Sequence, residues 1–154
     1  MAYERAIPVV VVRNKQDNQQ ALQKLKTIGG EAFAVEAELS NPEASENAVK
    51  AVIAKYERID VIANNAGIND GDGLKSVSYE KFMQSLHSNL VHHYLMVHFA
   101  LPELRKSKGA IVNISSKTAE TGQGNTSAYA ASNGGQILHV DGGYMHLDRA
   151  FANA

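Results

Sequence analysis

The sequence predicts an α/β fold built on a doubly wound parallel sheet, and three observations carry that prediction. Short β-branched or apolar runs alternate with stretches whose apolar residues recur at helical spacing. The helical stretches are long enough to act as crossovers, so successive strands form βαβ units with helices over both faces of the sheet. Polar clusters fall where strands end or helices start, which is where such sheets bind ligands.

Each element has its own local reason. Pro8 to Val12 is a β-branched run suited to a strand buried on both faces. Asp17 is placed to cap a helix carrying Ala21, Leu22, Leu25 and Ile28, with Gly29-Gly30 ending it. Ala32 to Val35 reads as the next strand. Asn41 caps a second helix with Pro42 at its first position, where the missing N–H removes no helical bond. Its buried stripe is Ala44, Ala48, Val49, Val52, Ile53 and Tyr56. Ile59 to Ala63 is a third strand that runs into Asn64-Asn65-Ala66-Gly67. Beyond a polar, Gly-rich loop, Ser78 opens a long helix with Phe82, Leu86, Leu90, Tyr94, Val97 and Leu101 along one side. Pro102 is expected to kink or end that helix. Ala110 to Ile114 is a fourth strand, stopping at Ser115-Ser116. Ser127 begins a helix carrying Tyr129, and Gln136 to Val140 reads as a last short strand before Asp141-Gly142-Gly143.

Composition narrows the function classes. The 154 residues carry 15 Lys+Arg against 16 Asp+Glu, a formal charge of −1. That balance excludes the clustered basic excess of a dedicated nucleic-acid or membrane-surface binder. Cys is absent, which excludes a disulfide framework, a thiolate metal site and a cysteine nucleophile. The opening Met1-Ala2-Tyr3-Glu4-Arg5 has no signal-peptide character, and no apolar run is long enough to span a bilayer. A cytoplasmic globular protein is therefore expected, with no nucleic-acid and no membrane partner. His87, His92, His93 and His98 share one helix, yet none makes the i, i+4 pair of a helical metal site, so no metal is expected. His139 and His146 are read as interface or surface residues.

Four features coincide around the strand ends. Asp60 lies in a strand that ends in Asn64-Asn65-Ala66-Gly67. Asn89 sits inside the long helix, where its propensity is poor. Ser116 follows the strand Ile111 to Ile114, and Tyr129 comes thirteen residues after Ser116. This set resembles the short-chain dehydrogenase/reductase family over nearly the whole chain. It is most similar to the sugar-dehydrogenase branch that includes L-fucose dehydrogenases, through Ser115 to Ala119, Gly122 to Thr126 and Tyr144 to Ala150.

The resemblance implies a Rossmann-like fold and hydride exchange between NAD or NADP and a secondary alcohol or its ketone, a sugar such as L-fucose being the expected substrate. It implies Tyr129 as the acid/base, Ser116 as the ligand of the substrate oxygen, and Asn89 ordering a water in the proton relay. A free phenol titrates near 10, so such a Tyr must be shifted to act near neutrality. The backbone of Asn65, Ala66 and Gly67 would pass under the cofactor ribose. Arg13, after the first strand, occupies the place that distinguishes the adenosine ribose from its 2′-phosphate, and Glu38-Leu39 would flank the adenine. Dimers or tetramers are common in the family, so a homo-oligomer is expected.

Three departures from the family pattern stand out. The Lys expected four residues after the Tyr is Asn133, which can still contact the ribose but carries no charge. No Gly-rich turn precedes the Val9 strand, and only eight positions separate Asn133 from Asp141. The expectation is a single truncated domain over residues 1–154 whose sheet lacks a central first strand and a sixth strand. A catalytically inactive Rossmann-like fragment or assembly module is the alternative. Lys117 beside Ser116 is read as a solvated lysine, Ser115 as structural and Asp60 as a surface residue.

Overall fold

The computed structural model describes residues 6–27 and 30–136. Its elements alternate as β1 (Val9–Val12), α1 (Lys15–Thr27), β2 (Phe33–Glu36), α2 (Pro42–Tyr56) and β3 (Val61–Asn64). A long helical segment follows, made of α3 (Tyr79–Leu86), a π-helical turn (His87–Val91) and α4 (His92–Ser107). The remainder is β4 (Ala110–Asn113), α5 (Thr118–Thr121) and α6 (Ser127–Gln136).

All pairing is parallel, as the crossovers require. Val9 to Val12 pair in register with Phe33 to Glu36. Val61 to Asn64 pair with Ala110 to Asn113. The strands form two separate pairs, β1-β2 and β3-β4. No ladder joins the two pairs among the described residues. The second expected gap, and residues 137–140 of the proposed last strand, lie outside the described residues. Gln136 itself belongs to α6 rather than to a strand.

The core joins the second pair to the helices above it. Val49, Ile62, Ala100 and Leu104 are buried together, with Ile53, Ile59, Met96, Phe99 and Ile111 packed around them. Val49 and Ile53 of the α2 stripe thus pack against α4, while Tyr56 at its end meets Phe33 of β2. Asn41 caps α2 by accepting from the Ala44 N–H at 3.0 Å, with Pro42 at the first helical position. Ser78 likewise caps α3 through Lys81 N–H.

Four expectations need correction. Asn14, not Asp17, caps α1: its Oδ1 accepts from Gln16 N–H at 2.8 Å because the helix starts one residue after Asn14. Asp17 instead places its charge in the first turn, where the helix dipole favours it. The apolar stripe of the long helix does not run straight. Tyr94 and Leu101 are exposed, while His92, His93, Leu95, Ala100 and Leu104 are buried. The π-turn supplies the reason, since one extra residue in a turn rotates everything beyond it by roughly 100°. Pro102 does not end α4, which continues to Ser107. Finally, the β3–β4 pair is covered on one face only. Ile62 and Asn64 are buried, whereas Val61, Val112 and Ile114 alternate with them onto an exposed face.

Sharp chain reversals bring β3 and β4 to a common start. Lys108 closes α4 at φ 55°, and a Cβ on Gly109 would stand 2.5 Å from the Asp60 carbonyl, so only glycine fits that crossing. Ala110 N–H then donates to the same carbonyl. Denaturant unfolding should separate the two faces of β3. Ile62→Ala is expected to lower stability by about 2–4 kcal/mol, and Val61→Ala, one residue away, by less than about 1 kcal/mol. Equal losses at the two positions would contradict the burial described here.

Candidate functional site at the carboxyl ends of the strands

The carboxyl ends of the strands are tied laterally by asparagines. Asn18, buried on α1, donates from Nδ2 to the Val12 carbonyl at 3.1 Å and the Val35 carbonyl at 3.2 Å, linking the ends of β1 and β2. Asn64 and Asn113 are register partners at the ends of β3 and β4, and Asn64 Nδ2 donates to Asn113 Oδ1 at 2.9 Å. Asn64 is thus a structural member of the cluster, while Asn65, Ala66 and Gly67 beyond it are exposed. Arg13 and Glu38 extend from β1 and β2. Arg13 Nη1 lies 3.4 Å from Glu38 Oε2 and both side chains are exposed. The Ser40 hydroxyl, donating to Glu38 Oε1 at 2.9 Å, lowers that carboxyl from its ordinary value; burial opposes the shift, and the Ser40 N–H and Arg13 add to the lowering. Leu39 is half-buried, and its carbonyl accepts from Ser45 Oγ.

Asn89 explains its own presence in the helix. It sits in the π-turn, 1% exposed, and its Oδ1 accepts from Ile68 N–H at 2.6 Å. Its Nδ2 donates to the Ile68 carbonyl at 3.1 Å and to Ser85 O at 3.0 Å. The side chain thus pins the loop beyond β3. A Cβ on Gly67 would lie 3.0 Å from Asn89 Oδ1, a tight approach that favours glycine there before any ligand is considered. The same loop reaches α6, where the Asp72 carbonyl accepts from both N–H and Oγ of Ser127.

Helix α6 carries Tyr129, half-buried, and Asn133, which is 3% exposed. Asn133 Nδ2 donates to the Tyr129 carbonyl at 2.8 Å, so its amide is turned back along its own helix. Ser115 Oγ donates to the Asn133 carbonyl at 2.9 Å, clamping the end of β4 to α6. This is the structural role expected of Ser115. Ser116, next in the chain, is half-buried, and its Oγ accepts from Thr118 N–H at 3.3 Å with Thr118 Oγ1 at 2.9 Å. Asn89 in the π-turn packs with α6, which carries Tyr129 and Asn133, and Ser116 lies between β4 and α5, the short helix that packs on α6. Arg13, Glu38 and Leu39 stand at the other strand pair. Lys117 and Asp60 are exposed, and Asp60 pairs with Arg58 at 2.7 Å.

Sequence reasoning missed Asn18, Ser85 and Thr118, whose roles are contacts across 2 to 17 positions of chain. It weighed the neighbouring histidines only as metal ligands and did not foresee their burial. His92 and His93 are buried edge-on, ring centroids 4.3 Å apart, and among the described residues neither His93 ring nitrogen has a hydrogen-bond partner. Burial lowers both, His93 to about 4 with the His92 charge adding to the effect. For His92 the carbonyls of Ala66 and His87 and the Glu38 carboxylate oppose that lowering.

A histidine lowered in the fold is protonated first in the unfolded chain, so acid favours unfolding. Stability should fall as pH drops from about 6.5 toward about 4, and the window from 6.5 to 5 precedes carboxylate titration. Thermal melts across that window should show the decline, and His93→Leu should flatten it. A melting temperature equally steep in the variant would refute the assignment.

Comparison with known proteins identifies the family. The family model described as short chain dehydrogenase covers residues 1–143. Acetoacetyl-CoA reductase of Acinetobacter sp. (strain RA3849) is 34% identical over 134 residues, 86% of this chain and 54% of that protein. L-fucose dehydrogenase of Rattus norvegicus is 37% identical over 87 residues, 56% of this chain and 32% of that one. A metagenomic short-chain oxidoreductase solved in complex with NADP superposes with a TM-score of 0.78 at 28% identity, over 85% of this chain and 60% of its own. The chain spans about half the length, or less, of the curated relatives it matches. Its fold is Rossmann-like α/β, with a sheet incomplete by comparison. From β1 through α6 and past it, the chain belongs to the short-chain dehydrogenase family.

Proposed function

We propose that this chain carries the acid/base site of an oxidoreductase that interconverts a secondary alcohol and its ketone with NAD or NADP. The observation that carries the reading is the clamp from Ser115 Oγ to the Asn133 carbonyl, which holds β4, with Ser116, against the helix of Tyr129. Tyr129 would take the hydroxyl proton of the alcohol at its phenolic oxygen, or return it to the ketone in reverse. Ser116 Oγ would donate to the substrate oxygen and stabilise the charge that develops there. Asn89 acts by fixing Ile68 and with it the loop beyond Gly67.

The strand ends offer surfaces of the right chemistry for a dinucleotide. Asn65, Ala66 and Gly67 present exposed backbone, and Arg13 presents an exposed guanidinium beside Glu38. These residues would hold the ribose and adenosine end, Leu39 lying beside them. A bound nicotinamide supplies the hydride acceptor or donor. Asn133, with its amide on the Tyr129 carbonyl, brings no cation to the phenol. That observation favours a second reading, an inactive module of the family that binds without turnover. The similarity to L-fucose dehydrogenase over 87 residues supports a sugar or other polyhydroxy alcohol as substrate.

Titration with NADPH and NADH, read by fluorescence transfer or calorimetry, tests the reading directly. Saturable binding below the millimolar range is expected, and its absence for both would sink the proposal. Where L-fucose or another secondary alcohol is oxidised, Tyr129→Phe should lower turnover by roughly 100-fold or more with cofactor binding kept. Asn133→Lys should raise turnover, because a cation one helical turn from the phenol favours its ionised form. Unchanged turnover in that variant would show that charge at position 133 does not limit the rate.

A further inference from the structure

We infer that Thr118 is a positioning residue that fixes which way the Ser116 hydroxyl proton points. The inference rests on the proposed role of Ser116 but is testable apart from it. A serine oxygen has two acceptor positions and one proton. The Thr118 N–H can only donate, and at 3.3 Å it occupies one acceptor position of Ser116 Oγ. The Thr118 hydroxyl lies at 2.9 Å from the same oxygen, and Ser116 Oγ is its one hydrogen-bond partner among the described residues. Thr118 is 4% exposed, so water does not compete for that hydroxyl.

Two arrangements of the hydroxyl pair are open. If Ser116 donated to Thr118, the Thr118 proton would be left in a buried place without an acceptor. If Thr118 donates, its proton is satisfied, both acceptor positions of Ser116 are filled, and the Ser116 proton must point away from Thr118. The second arrangement leaves no buried donor unpaired, which the first does. It also aligns two donors on an oxygen that is itself a donor, and such chains strengthen one another. Thr118 thereby turns Ser116 into a committed donor directed away from Thr118.

The chain's lack of cysteine makes donation from Thr118 to position 116 measurable. Ser116→Cys would introduce a single thiol whose thiolate two donors from Thr118 stabilise. Its alkylation rate against pH should give a midpoint well below the ordinary thiol value of about 8.5. Adding Thr118→Val should raise that midpoint by about one unit, while adding Thr118→Ser should leave it in place. Matching midpoints for the Ser116→Cys variant with and without Thr118→Val would overturn the inference. So would a thiol that stays unreactive through pH 10. In the otherwise unchanged chain, Thr118→Val should lower turnover with the cofactor KM held, and Thr118→Ser should rescue it. Thiol midpoints as expected in a chain with no hydride transfer would overturn the proposed function and leave the Thr118 assignment standing.

Discussion

The interaction on which the site depends is the buried amide of Asn89, bonded on both sides to the backbone of Ile68. From it a continuous run of contacts reaches every candidate group on the second strand pair. Ile68 anchors the loop whose Asp72 carbonyl receives the first residue of α6, Ser127. That helix carries Tyr129, and its Asn133 carbonyl is held by Ser115, which leaves Ser116 beside it under Thr118. Each bond contributes only about 1 kcal/mol net. Leaving one partner buried and unpaired would be worse than never having made the pair, so the run tolerates few substitutions. The π-turn belongs to the same constraint, since it sets the rotation at which Asn89 meets the loop while His92 and Leu95 turn inward.

Much of the fold was legible because it rests on local rules. Asn41-Pro42 and Ser78 mark helix starts by chemistry confined to four residues, and both caps form as read. β-Branched runs and helical stripes identified every strand and helix among the described residues except α5, a four-residue turn with no pattern to detect. What escaped was set by distance or by phase. Nothing near His87 announces a π-turn, so the stripe carried straight through to Tyr94 and Leu101 and failed there. Asp17 lost the cap to Asn14 because both residues can do it and only the start of the helix decides. At the site, residue types were readable but commitments were not. No residue type announces that the Asn133 amide donates to the Tyr129 carbonyl or that Gly67 lies against Asn89.

The divided sheet changes how the site's two halves are registered. In a continuous sheet, neighbouring strands would fix the end of β1 relative to the end of β3 by hydrogen bonds. Here β1-β2 and β3-β4 are separate pairs, so the position of Arg13 and Glu38 relative to Ser116 and Tyr129 passes through helices. The path is the packing of α2 on α4, where Val49 meets Ala100 and Leu104 beside Ile53 and Met96. Apolar packing is strong but indifferent to small sliding motions, whereas a ladder permits only whole-residue steps. A dinucleotide held as proposed, with Arg13 at one end and Tyr129 at the other, would feel that difference directly. Loss of registry would lower the rate of hydride transfer more than the affinity for the adenosine end, because near-attack geometry tolerates less displacement than an exposed ion pair does.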